Sequence, residues 1–148
     1  MSLVYFSFGV LALLFLIQIF YKSRWTYKYF FWGVCGATVV YYFYLVYAQY
    51  LAWRDGGELL KLLVPPYQSI TYVFGYHFTR FALYYLISFL VAVLFLWTAN
   101  YFNRRFGYRF FENEEAYLGA IAIFLLGNPL WRYAWIYYLI ALLAHAII

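Results

Sequence analysis

The residues of this chain best suited to acid–base chemistry are its carboxylates, of which there are only five. All of them lie at the ends of apolar runs: Asp55, Glu58, Glu112, Glu114 and Glu115. Two carboxylates that meet at a membrane surface can share one proton, as in aspartyl proteolysis. The structural alternative is that Asn113 caps a helix with acids in its first turn, where they complement the helix dipole. Asp55 would then be an exposed charge after a span.

The order of features from Trp53 to Trp131 resembles the catalytic half of the prepilin peptidases, which are membrane aspartyl proteases. In that family an acid ends one span and a proline follows nearby. After two further spans and a basic loop, a second acid opens a helix rich in small residues. The resemblance implies that Asp55, followed by Pro65-Pro66, is the first catalytic acid, and that Glu115, followed by Leu118-Gly119-Ala120, is the second.

The sequence departs from that family around the second acid. The family's glycine-x-glycine-aspartate motif is replaced by Glu112-Asn113-Glu114-Glu115, and Tyr117 stands where a lysine usually follows. The family's cysteine-rich cytoplasmic domain is not among these residues, whose one cysteine is Cys35. Three hypotheses therefore stay open: a divergent peptidase, an inactive relative and a coincidental arrangement.

Other motifs for chemistry are incomplete. His77 and Arg80 are spaced to share a helix face, and His145 lies in an apolar run. A metal site usually needs three or four converging ligands, so we predict structural histidines, no metal and no cofactor. No nucleotide-binding loop or nucleophile elbow is present. No charged residue falls in the middle of the first three spans, which disfavours an ion channel or a proton-coupled transporter.

Basic residues form two clusters beside apolar runs. The clusters are Lys22, Arg24 and Lys28, and Arg104, Arg105 and Arg109. In a soluble protein a net charge of +5 would suggest nucleic acid, but this placement is typical of topology signals, and we predict no nucleic-acid partner. The clusters also suit anionic lipid headgroups held between helices, with plain orientation signalling as the alternative.

The composition predicts the class of protein. Hydrophobic residues make up 69% of the chain and charged residues only 10%, against roughly 25% charged in soluble domains. Aromatic residues reach 29%, more than two interfacial belts need, so some tyrosine hydroxyls should lie inside the bundle. We predict an all-α, polytopic helix bundle forming a single transmembrane domain over residues 1–148, in the cytoplasmic membrane if the source is bacterial.

Apolar runs predict four to six helices. The confident spans are 3–20, 29–53 and 81–102. Pro65-Pro66 breaks any helix before it, and the stretch 67–79 that follows is short and polar. We expect it to form a re-entrant or interfacial helix, or a short span together with 62–64. The last run is too long for one span and is predicted to form two short helices, 114–126 and 129–148.

The number of crossings decides the topology. If 65–79 does not cross, both basic clusters share one side, six residues against three, and the amino terminus lies outside. If it crosses, the count is five against four, and only then do Asp55 and Glu115 share a side. The positive-inside rule favours the first arrangement.

The sequence Gly127-Asn128-Pro129 predicts a break in the last run, because proline cannot continue a helix from within. Gly127 is expected in the left-handed conformation, Pro129 as the first residue of a new helix, and the turn buried against other helices or near an interface. Trp131 and Arg132 should mark the interface if the turn is shallow.

The expected function is that of a small non-catalytic subunit or scaffold in the lipid bilayer. The spacing of Gly33 and Ala37 would let another helix approach closely, from a larger membrane partner or from a second copy of the chain. The alternatives are a peptidase that uses Asp55 and Glu115 and an anionic-lipid-binding protein.

Overall fold

A computed structural model describes residues 2–20, 24–107, 111–112, 114–131 and 134–147. Over these ranges the chain is helical and contains no β-strand, so the predicted all-α class is confirmed. The α-helices are α1 (Ser2–Phe20), α2 (Arg24–Arg54), α3 (Glu58–Lys61), α4 (Ile70–His77), α5 (Leu83–Arg105), α6 (Glu115–Leu125) and α7 (Ala134–Ile147).

Two of these segments are long and apolar enough to cross a membrane, namely Thr26–Arg54 and Ile70–Arg105. Shorter apolar helices cover Ser7–Phe20 and Glu115–Leu125. The chain divides into two compact units, of which the first is Met1–Cys35 with Tyr84–Ile148 and the second is Gly36–Leu83.

The longest helix corrects the predicted separation of 65–79 from 81–102. A π-helical turn, Phe78–Ala82, joins α4 to α5, and the three form one continuous helix. Pro65 and Pro66 come before this helix, and Ser69 caps its start by accepting a hydrogen bond from the Thr71 N–H at 3.3 Å. The residues that made 65–79 look separate are merely polar, and polarity alone does not end a helix.

The second unit packs the end of α2 against α4. Its core consists of Val46, Trp53, Val64 and Val73, with tyrosine rings around it. The Trp53 and Tyr76 rings meet edge to face at 5.2 Å. The buried side of α4 is therefore fixed by Val73, which leaves the opposite side of α4 exposed.

The first unit is built around α6. Phe31, Phe89 and Phe124 contact one another, with ring centroids 6.3–6.4 Å apart. Most of the small and apolar side chains of α6 are buried: Ala116, Gly119, Ala120, Ile121, Ile123, Phe124 and Leu125. Tyr27 and Tyr85 are buried as well, which confirms that some phenols lie inside the structure.

The predicted break after α6 is confirmed, and its turn is buried at Gly127 and Asn128. Two details were wrong. Pro129 opens a 3₁₀ turn (Pro129–Trp131) and not the next α-helix, which begins at Ala134. Among the described residues, the left-handed glycine is Gly107, after α5, with φ of 69°, and Gly127 does not take that conformation. The predicted interfacial roles concern the Trp131 side chain and Arg132, outside the described part of the chain.

Candidate functional site

The first predicted catalytic acid, Asp55, is exposed at the end of α2. It forms a two-pronged ion pair with Arg54, with Nε donating to Oδ1 at 2.8 Å and Nη2 donating to Oδ2 at 3.1 Å. This hydrogen bond and the positive charge of the guanidinium hold the pKa of Asp55 below its usual range. A carboxylate held in this way by the neighbouring arginine fits an exposed charge at the end of α2.

The second predicted acid, Glu115, is the first residue of α6. Its Oε2 accepts a hydrogen bond from the Glu112 N–H at 2.9 Å, which secures the approach to the helix. Glu114 occupies the N-cap position without a side-chain cap, and Asn113 lies outside the described residues. Asp55 belongs to the second unit and Glu115 to the first, and each is engaged by neighbours in sequence. The peptidase assignment stays a prediction.

The described residues of the two basic clusters lie near helix ends. Arg104 and Arg105 are exposed in the last turn of α5, Lys28 is partly buried in the first turns of α2, and Arg24 opens that helix. Lys22 and Arg109 lie outside the described residues.

The histidines do not converge with other ligands in the described part of the chain, where no three His, Cys, Asp or Glu side chains form a group suited to a metal ion. His77 packs edge to face against Tyr76 at 5.2 Å. His145 lies in α7.

One exposed stretch of α2 has the geometry of an interface. We call it the docking face, and it consists of Gly36, Ala37, Val40, Tyr44 and Tyr47. These residues are spaced to lie on one side of a helix. Val40 is 69% exposed and Tyr44 is 60% exposed. A Cβ atom added at Gly36 would meet no atom within 4 Å, so the backbone is open to close approach. Gly33, one turn earlier, is equally open.

A second feature is an open groove of about 550 Å³ along α4 and the π-turn. We call it the Arg80 groove, and its lining includes Gln68, Ser69, Gly75, Tyr76, Thr79 and Arg80. The Arg80 Nη1 donates to the Tyr76 hydroxyl at 2.6 Å, and the guanidinium carbon lies 4.2 Å from the centre of that ring. The groove thus combines one fixed cation with neutral polar groups.

A third feature is a buried polar cluster in the first unit. The Asn128 Nδ2 donates to the Ser7 Oγ at 3.1 Å, and the Asn128 Oδ1 accepts from the Leu130 N–H at 3.0 Å. These contacts satisfy backbone and side-chain groups freed by the break after α6. Ser88 is also fully buried, and its Oγ has no hydrogen-bond partner among the described residues.

No protein-family model, curated protein or solved structure matches this chain.

Sequence reasoning missed both the Arg80 groove and the buried cluster. The groove had a local signal, since Tyr76 and Arg80 are four residues apart and meet on one side of a helix. Ser7 and Asn128 are 121 residues apart, so no sequence pattern pairs them.

Proposed function

We propose that this chain is an integral membrane protein that acts as a non-catalytic subunit, docked on another membrane protein through α2. The membrane location is supported by the amount of apolar surface that the structure leaves exposed. Ser7, Ser88 and Asn128 are buried, whereas large apolar side chains are exposed along α1, α2 and α5. Only 22% of each long hydrophobic window is buried, and the core helix of a soluble protein would be mostly buried. So much exposed apolar surface needs lipid or a protein partner.

The continuous helix Ile70–Arg105 favours an arrangement in which both basic clusters share one side. Its 36 residues extend about 54 Å, more than a hydrocarbon core of about 30 Å needs. The apolar stretch 81–102 fills the core, and 70–80 continues beyond it. With one crossing by α2 and one by this helix, Arg104 and Arg105 return to the side of Lys28. The positive-inside rule makes that side cytoplasmic, and with α1 also crossing, the amino terminus lies outside.

Gly36 is the observation that carries the docking proposal. The Tyr41 and Phe81 rings are 5.8 Å apart, and Phe81 begins the apolar stretch 81–102 that fills the core. Tyr41 therefore lies near one edge of the core, and Gly36, five residues before it, lies about 8 Å deeper. A Cβ atom added at Gly36 would meet no atom within 4 Å, so no described side chain covers the backbone there.

Small residues let two helix backbones approach closely in a membrane, where association depends on packing and interhelical hydrogen bonds. Gly36 and Ala37 provide this surface, with the exposed Val40 one turn beyond. The partner we infer is a transmembrane helix that presents a flat surface to the docking face.

Native gel electrophoresis of the tagged protein after mild detergent extraction tests docking. We expect a discrete complex larger than the monomer, which Gly36→Leu dissociates because the leucine blocks close approach. Gly9→Leu is the matched control, since Gly9 on α1 is equally exposed and open. The proposal is wrong if the wild-type protein runs as a monomer or if both variants behave alike. Co-purification of two differently tagged copies would identify the partner as a second copy.

Exposed Arg104 and Arg105 favour anionic-lipid binding as a second function, because they end α5 at the proposed cytoplasmic surface. Native mass spectrometry should show anionic lipid that is lost when both are changed to alanine. Unchanged lipid retention would mean that these residues serve only to orient the chain in the membrane.

A further inference from the structure

This inference rests on the proposal that the chain spans a membrane. The Arg80 groove then begins at the edge of the hydrocarbon core. Arg80 immediately precedes the apolar stretch 81–102 and therefore lies at the edge of the hydrocarbon core. The groove runs from there to Ser69, eleven residues and about 16 Å along the helix, and so passes through the headgroup layer, which is about 5–8 Å thick on each side of the core.

The guanidinium in this groove is oriented and not merely present. Its hydrogen bond to the Tyr76 hydroxyl and its place over the Tyr76 ring fix one edge of the group. A guanidinium has five N–H donors in a planar fork, so several remain for an anion with paired oxygens. No acidic side chain is among the described residues that line the groove, and the cation is therefore not neutralised within it.

Neutral polar groups occupy the far end of the groove. The Ser69 Oγ accepts hydrogen bonds from the Thr71 N–H and hydroxyl, at 3.3 and 2.9 Å, so its own hydroxyl proton is available to a ligand. Gln68 lies beside it. Between the two ends, a Cβ added at Gly75 would meet no atom within 4 Å, and this opening makes room for a ligand.

We propose that the Arg80 groove binds a phosphate ester that carries a hydroxylated group, of which an anionic glycerophospholipid headgroup is the membrane form. The phosphate contacts Arg80, and the hydroxyl groups reach Ser69 and Gln68. A zwitterionic headgroup is disfavoured, because its ammonium group would find no carboxylate among the described residues that line the groove.

Lipid exchange into nanodiscs of phosphatidylcholine with phosphatidylglycerol, read by native mass spectrometry, tests the proposal on the full chain. Arg80→Gln should weaken phosphatidylglycerol binding at least tenfold. Lys61→Gln is the matched control, an exposed cation of the same unit outside the groove. Non-specific attraction is worth about 1 kcal/mol per basic residue, or about fivefold. Equal losses in both variants, each of fivefold or less, would overturn the proposal.

Gly75→Leu distinguishes binding in a shaped site from non-specific attraction to positive charge, because the leucine fills the groove and every cation stays in place. A built site should lose phosphatidylglycerol at least tenfold in this variant, whereas surface attraction would be unchanged. If Arg80→Gln fails to fold, Gly75→Leu decides the question alone, and unchanged binding overturns the site.

Soluble glycerol 3-phosphate distinguishes the two sources of the ligand. Competition by this compound at millimolar concentration, lost in Arg80→Gln, would identify a free phosphate ester as the ligand, and no competition would identify the lipid. Alkaline carbonate extraction is the separate test of membrane integration. Release of the chain by carbonate would contradict the proposed location, while binding of glycerol 3-phosphate would still be measured.

Discussion

Two pairs of glycines in this protein occupy opposite environments. Gly119 and Gly127, in and after α6, face side chains of α5 so closely that a methyl group would collide with them. Gly33 and Gly36, in α2, face open space. Both pairs lie in apolar runs, and their sequence neighbourhoods look alike.

The difference separates small residues that build the chain from those available to a partner. At Gly119 and Gly127 the close approach is already made inside the first unit, by Phe95 and Ser88. At Gly36 the same opportunity is unused by the described residues. The spacing of small residues in the sequence predicts that another helix can pack closely against this one. Only the structure shows whether that helix belongs to the same chain.

Gly127→Ala should have the largest effect on stability. The added methyl group would overlap the Oγ of Ser88 and lie 3.0 Å from the Phe124 carbonyl oxygen, so the turn after α6 must move. Overpacking of this kind costs about 3 kcal/mol. Unfolding of the purified protein in sodium dodecyl sulfate, followed by circular dichroism, measures the change.

The double variant Gly127→Ala with Ser88→Gly identifies the cause. Removing the serine side chain relieves the collision, so at least half of the lost stability should return. No recovery would mean that Gly127 is required for its backbone conformation and not for the approach to Ser88.

Gly119→Ala should have a smaller effect. Its methyl group would lie 2.7 Å from the edge of the Phe95 ring, which also packs against Phe111 with ring centroids 5.9 Å apart. The better helix propensity of alanine offsets part of the collision, leaving a net loss of about 1 kcal/mol. Phe95→Leu in the same chain should remove that loss, and a persistent loss would contradict the assigned contact.

Much of the fold followed from hydrophobic run lengths and helix breakers, which are local properties. The first helix and the break at 127–129 are examples. The joining of α4 to α5 was missed because the polar residues Thr79 and Arg80 suggested the end of a helix. In the structure both belong to a π-helical turn within one continuous helix. The sequence pattern favoured a left-handed backbone conformation as the reason for Gly127. In the structure a side chain at this position would collide with Ser88, and no local pattern shows that contact.

The candidate site was less predictable for the same reason. The spacing of Gly33 and Ala37 indicated part of the docking face, but its exposure is a tertiary property. The Arg80 groove depends on how Tyr76 orients the guanidinium of Arg80. This contact cannot be predicted by considering each residue separately.

Gly36→Ala should leave the isolated protein as stable as before, or raise its stability by about 0.5–1 kcal/mol, because alanine favours a helix and meets no neighbour here. The detergent unfolding assay used for Gly127→Ala provides the comparison. A loss of more than about 1 kcal/mol would show that Gly36 packs within the chain, and the contrast between the two glycine pairs would disappear.

The smallest expected effect concerns Asp55, which is the only aspartate. Selective ¹³C labelling of aspartate therefore gives one carboxyl signal, and its titration should show a pKa below the ordinary value of about 3.9. Because this pKa is lower in the folded protein than in the unfolded chain, the carboxylate stabilises the folded state at pH values above its ordinary pKa. That stabilisation is lost as the pH falls through the pKa of the folded protein. The loss should be slight because the pair with Arg54 is exposed. Arg54→Gln should return the pKa toward normal, and a raised pKa in the wild type would favour the peptidase.

The most direct test of docking through α2 is to compare the surroundings of two exposed positions in native membranes. A nitroxide spin label would be placed at Val40 or at Leu90, 60% exposed on α5, in a chain with Cys35→Ser. We predict a restricted label with low oxygen accessibility at position 40, because a protein helix covers it, and a mobile label with high oxygen accessibility at position 90. Equal mobility and high oxygen accessibility at both positions would mean that lipid covers the docking face, and would contradict the account.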